Sequence, residues 1–203
     1  MAIIEWPSKV IPNAMSINLV HNSIGFTSPY NQSMMTHKLP GARWRASLSF
    51  NTLDDFNGVD EISRLQAFLW SLEGINGRFL MWDFTKPGMP EKGSPVVNGP
   101  NQYGGLLNTR GWRPNSLVIP AGRYFSINNE LKFATKDLYS NSLGICTLEF
   151  TPWIRIPPAD GDVITTDKPK GMFRLVDNDQ GNFNLTPGLE ASITIEVVEA
   201  FHV

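Results

Sequence analysis

Between Asp60 and Phe84 the apolar positions change period, and the change separates two kinds of element. Ile62, Leu65, Leu69 and Leu72 recur at steps of three and four, which puts them on one face of a 3.6-residue helix. Asp60 stands where a first-turn cap is needed, and Glu61 complements the dipole there. Gly74 follows the last periodic residue, where a left-handed residue commonly ends a helix. Phe68 and Trp70 widen the stripe, so the spacing predicts a helix over Asp60–Glu73 lying on something broad and flat. Arg78–Phe84 then reads as a short aromatic strand. Upstream, Trp44, Ala46, Leu48 and Phe50 alternate with Arg43, Arg45, Ser47 and Ser49, the mark of a strand with one covered face. Strand, helix and strand are expected in that order, with the helix packed on a sheet.

The remaining patterned segments have period two. Ala14–Val20 alternates loosely, and Met34–His37 precedes the Trp44 strand as a candidate partner for it. Arg123–Ile127 and Glu130–Ala134 flank Asn128-Asn129, a pair that tolerates the positive φ of a two-residue turn, so a hairpin is predicted. A strand through Cys146 follows Gly144, and Pro157-Pro158 with Asp160-Gly161 marks a turn. Gly171–Asp177 and Leu189–Val198 are the closing strands. In the last, Leu189, Ala191, Ile193, Ile195 and Val197 alternate with Glu190, Ser192, Thr194 and Glu196. The expected fold is mainly β with one flanking α-helix, a β-sandwich or small barrel, in a single domain over residues 1–203.

One passage resists this reading. Thr85–Ala121 carries Pro87, Pro90, Pro95, Pro100, Pro114 and Pro120 among many glycines. It also holds Tyr103, Leu106, Leu107 and Trp112, which makes it too apolar for a solvated linker. It is expected to be an extended arm packed on a neighbouring subunit. Trp and Arg are favoured at the centres of interfaces, so Tyr103, Leu106, Leu107, Arg110, Trp112 and Arg113 are the candidate interface residues. Trp112 is balanced evenly between interface and local packing, while Trp44, Trp70 and Trp82 are expected in the core.

Composition narrows the function classes. Charged residues make up 18% of the chain, below the roughly 25% of an ordinary soluble domain, which points to surfaces covered rather than solvated. A net charge of −2 gives no general affinity for nucleic acid or anionic membranes. The one cysteine, Cys146, shares its phase with Leu148 and Phe150 and is expected to be a buried structural thiol; a chain without disulfides suits a reducing cytosol. Met1–Pro7 has neither the basic flank nor the apolar core of a secretory leader, and no apolar run is long enough to span a bilayer.

Little in the sequence asks for catalysis. His21, His37 and His202 have no ligand spacing, and no zinc, thiol-redox or P-loop motif occurs. Asp177–Asn182 begins like a calcium loop, but Gly188 stands where the bidentate glutamate belongs, so a turn between strands is expected. The carboxylate pairs Asp54/Asp55, Asp60/Glu61 and Asp160/Asp162 are sequence neighbours in turns, unlike the facing carboxyls of a glycosidase. No serine sits in a nucleophile elbow. Neither an enzyme nor a cofactor is expected.

The order of the pieces resembles a tail protein of long-tailed bacteriophages. The resemblance rests on Trp6-Pro7, the alternating Trp44 strand, and the Leu65–Leu72 helix ending in Gly74-Ile75-Asn76-Gly77-Arg78-Phe79. It continues through Gln102-Tyr103-Gly104, Asn108-Thr109-Arg110-Gly111-Trp112 and Ala121-Gly122-Arg123-Tyr124-Phe125, then Arg155-Ile156-Pro157-Pro158 and Met172-Phe173-Arg174-Leu175. Within that group the chain is most similar to distal tail (baseplate) subunits. The resemblance implies a fold of tail-tube type closed into a six-membered ring. Such a ring joins the tail tube to the hub and fibres at the virion tail tip, after assembly in the host bacterial cytoplasm. DNA would pass through its lumen without specific contacts, and no membrane would be involved. Another minor tail protein, such as a tail-tube or tail-completion subunit, fits the same pieces. A carbohydrate-binding β-sandwich is the alternative from a different class, because exposed aromatics stack on sugars.

Overall fold

A computed structural model describes residues 3–53, 55, 60–183 and 191–201. Among these the chain is mostly strand with a single α-helix, as the periodicities predict. Leu189 and Glu190 of the expected last strand, with Gly188, Asp54 and His202, lie outside the described residues.

The larger sheet has six strands. In spatial order they are β1 (Ile3–Glu5), β6 (Arg78–Met81), β14 (Gly171–Leu175), β15 (Ala191–Glu199), β5 (Arg43–Leu53) and β2 (Ala14–Val20). β1 runs parallel to β6 and the other pairings are antiparallel. The helix α1 (Glu61–Ser71) covers one face, where Trp44, Ala46, Leu48 and Phe50 from β5 meet Leu65, Phe68, Leu69 and Leu72. Trp6 belongs to this core: its ring lies 5.1 Å from Phe68 and its indole N–H donates to the Val10 carbonyl at 2.7 Å.

The ends of α1 differ from expectation in their chemistry. Asp60 occupies the cap position with a left-handed backbone (φ 52°) and makes no side-chain cap bond. The Asp55 carboxylate accepts from Ser63, backbone N–H at 3.1 Å and hydroxyl at 2.5 Å, so the first turn is held from further upstream. The left-handed exit begins one residue early, at Glu73 (φ 51°), and continues through Gly74 (φ 68°) into a 3-10 turn, Gly74–Asn76. Trp70 is a correction: it is 67% exposed, because it lies off the stripe that meets the sheet.

The second sheet has five strands, β10 (Tyr124–Ile127), β11 (Glu130–Ala134), β13 (Cys146–Ile154), β8 (Gly104–Trp112) and β7 (Gly93–Val97), all paired antiparallel. A short ladder of β9 (Leu117–Ile119) and β12 (Leu138–Tyr139) accompanies it. The β10–β11 turn has Asn128 and Asn129 at φ 49° and 62°, as a two-residue primed turn requires. Much of Thr85–Ala121 is therefore strand, not irregular arm. Its glycines serve the ladder: Gly93 and Gly111 both have positive φ and approach the opposite strand so closely that a Cβ would meet a carbonyl oxygen at 2.3 Å. The prolines and glycines hid a β8 pattern whose covered positions are Leu107, Thr109 and Trp112.

A buried charge network joins the two sheets. Arg155 makes two 2.7 Å bonds to the Glu199 carboxylate, which also accepts from the Trp44 backbone N–H at 3.0 Å. Nearby Lys132, wholly buried, donates to Glu130 at 2.6 Å, and Glu130 accepts from the backbone N–H groups of Arg155 and Ile156. Burial pulls the Lys132 ammonium below its ordinary range, and Glu130 opposes that shift.

Candidate assembly surface

The six candidate interface residues do not form one surface. Leu107 is fully buried and Trp112 is 3% exposed, both inside the second sheet's own core with Val118, Phe125 and Leu148. The Trp112 indole N–H donates to the Thr109 hydroxyl at 2.7 Å, and that hydroxyl donates to the Cys146 carbonyl at 2.6 Å. Arg110 forks onto Asp160 at 2.7 and 3.2 Å and reaches Asn98 at 3.0 Å. The Arg110 hydrogen bond holds the Asp160 carboxyl below its usual range. Tyr103, Leu106 and Arg113 are exposed. Strand alternation explains the division, since Leu106 and Leu107 point to opposite sides of the sheet.

An exposed apolar element lies elsewhere. β2 and β5 pair up to Val20 and Arg43, and beyond that point the chain projects as a hairpin of β3 (Ser23–Thr27) and β4 (Met34–Lys38). Met34–His37 thus pairs with β3 and not with the Trp44 strand. Its base is tied by Leu39 N–H to Asn22 O at 2.8 Å and by the Asn22 amide to Pro40 O at 2.7 Å. All ten strand residues are exposed. Ile24, Phe26 and Met35 share one face, with Phe26 directly opposite Met35, and these two are 65% and 74% exposed. On the other face Met34 lies against Gly25, so close that a Cβ there would sit 2.1 Å from its methyl carbon. The signal for the hairpin was in the sequence: Ser28-Pro29-Tyr30-Asn31-Gln32-Ser33 is a turn cluster between two short apolar runs.

Next to the hairpin's origin, β2 leaves part of its inner side uncovered. Met15, Ile17 and Leu19 line an open cleft of about 550 Å³ with Trp44, Tyr124 and Phe133. Burial, and then Asp83, raise the pKa of the Tyr124 hydroxyl, so it stays protonated in this wall.

Several groups that the sequence singles out are engaged structurally. Cys146 is 4% exposed on the covered face with Leu148 and Phe150, and burial pushes its thiol up to about 11. Asp162 accepts from Asn128 and the Ala159 backbone N–H, and Asn178 and Gln180 accept backbone N–H groups of Ile75 and Glu196. Among the described residues no three His, Cys, Asp or Glu side chains gather to hold a metal ion, and no helix is long and apolar enough to cross a membrane. The chain matches no protein-family model and no curated protein sequence.

Proposed function

We propose that the chain is a structural subunit of a bacteriophage tail tip, a distal tail (baseplate) protein that assembles with its own copies into a ring between the tail tube and the hub and fibres. The observation that carries this reading is the β3–β4 hairpin. An isolated two-stranded hairpin is only marginally stable in water, and this one also holds Phe26 and Met35 in solvent. Docking on another chain resolves both costs. The cleft offers the apolar side chains of Met15, Ile17 and Leu19, set among polar ones that include His21, Asp83 and Lys86, for a neighbour's hairpin. Hairpin and cleft are different patches, so the contact is heterologous and closes into a ring when the rotation permits. The sequence resemblance supplies the expected six-fold count, the virion location and the DNA-carrying lumen. No catalytic role is proposed.

A sugar-binding module needs an open aromatic face. Trp153 has the Lys38 ammonium 4.2 Å above its ring, Trp70, Tyr103 and Tyr139 stand on α1, just before β8 and on β12, and Phe26 and Tyr30 belong to the hairpin that the assembly reading already uses, so tail assembly is the stronger reading. Antibody labelling of intact tailed particles tests the location. Label confined to the tail end away from the head is expected. Label along the whole tube would reassign the chain to the tube, and particles free of label would contradict the proposal.

A further inference from the structure

The outward face of the six-stranded sheet holds a cluster of arginines that the assembly reading does not use. Arg174, Val198, Arg45 and Asn18 are register partners in one row across β14, β15, β5 and β2. Arg43 lies two residues from Arg45 on the same strand face, opposite Val20. Adjacent strands are about 4.8 Å apart, so Arg174 and Arg45 flank Val198 across about 10 Å, well within the reach of two arginine side chains. Arg43, Arg45 and Arg174 line one cavity of about 260 Å³, with Val20, Val176 and Val198 as its apolar walls.

The local charge is unbalanced. Glu196 pairs with Arg45 at 2.9 Å. Arg174 donates to the backbone carbonyl of Leu175, and Arg43 lies over the Phe201 ring at 5.4 Å. Among the described residues, neither of these two guanidinium groups has a carboxylate within ion-pairing distance. Three fixed cations and one anion therefore surround the cavity of a protein whose net charge is −2. The other outward residues of β2, β5 and β15 near this row include Ser16, Ser47, Ser49 and Thr194, which donate hydrogen bonds and bring no opposing charge.

We infer that this cavity binds a phosphate monoester, a dianion that carries an organic group. The residual charge of three arginines and one glutamate matches a dianion, and planar guanidinium forks match its terminal oxygens. Val20, Val176 and Val198 supply contact for the organic part, which inorganic phosphate lacks. The site is independent of whether copies of the chain assemble.

Calorimetric titration of the full chain with phenyl phosphate, inorganic phosphate and a single-stranded oligonucleotide tests this. Phenyl phosphate should bind saturably, with one site per chain, at least about fivefold more tightly than inorganic phosphate, as expected for one or two buried methylene equivalents. Arg43→Ala with Arg174→Ala should weaken it at least about tenfold through loss of charge-assisted bonds. Glu196→Gln should strengthen it, because Arg45 is then released from its partner. Binding unchanged in the arginine variant, or no saturation by phenyl phosphate, would overturn the site. Affinity for oligonucleotides that exceeds that for phenyl phosphate and rises with length would also overturn it, in favour of a general polyanion surface.

Discussion

Trp112 shows how one side chain can satisfy two sequence arguments and obey only one. Its neighbours Arg110 and Arg113 made an interface centre plausible, yet its indole is bonded to Thr109 within the chain's own core. Trp112→Ala should therefore destabilise the monomer by about 3–5 kcal/mol, as large-to-small core changes do. Denaturant unfolding of the isolated chain measures it; an unchanged midpoint would return Trp112 to an interface. Cys146 behaves as its strand phase indicated. Its thiol titrates near 11 when folded against an ordinary value of 9.0. A raised folded value gives stability that is present below the unfolded pKa and lost as pH rises through the folded one. Wild type should thus lose about 2–3 kcal/mol relative to Cys146→Ala between about pH 9 and 11. Paired unfolding curves across that window measure the difference, and the native thiol should resist alkylation until the chain unfolds.

Elements were legible where burial on one side imposed a period. The helix, β5 and the Asn128-Asn129 hairpin follow from spacing and turn chemistry, because each has one covered face or a demanding φ. β7 and β8 were not legible, since Gly93, Gly111 and Pro95 serve close strand approach there and read as loop punctuation. The pairing of Met34–His37 with β3 is not legible for a different reason. Neither face of that hairpin is covered, so nothing in its pattern reports a register. The charge network between the sheets was also invisible, because Glu199 and Arg155 are far apart in sequence and each looks like an ordinary surface residue. Removing one partner leaves a buried charge alone, so Glu199→Ala should cost about 3–5 kcal/mol. A thermal melt checks this; a shift no larger than that of Glu196→Ala, whose Arg45 pair is exposed, would mean the network does not hold the sheets together.

At the scale of the whole molecule, the proposed assembly rests on the β3–β4 hairpin, an exposed element outside the two larger sheets, and not on the Thr85–Ala121 passage. The six proposed interface residues are divided. Leu107 and Trp112 are committed to the interior, Arg110 to Asp160, and only Tyr103, Leu106 and Arg113 remain at the surface. The central claim is that copies of the chain join through the β3–β4 hairpin. Sedimentation velocity over a wide concentration range tests it most directly, comparing wild type with a Phe26→Ser, Met35→Ser variant. Both positions are exposed, so the variant should melt as wild type does. Wild type should shift with concentration from 22.7 kDa to a single closed species near six times that mass, while the variant stays at one chain throughout. A variant that assembles as wild type does, or a wild type that remains one chain at every concentration, would contradict the account.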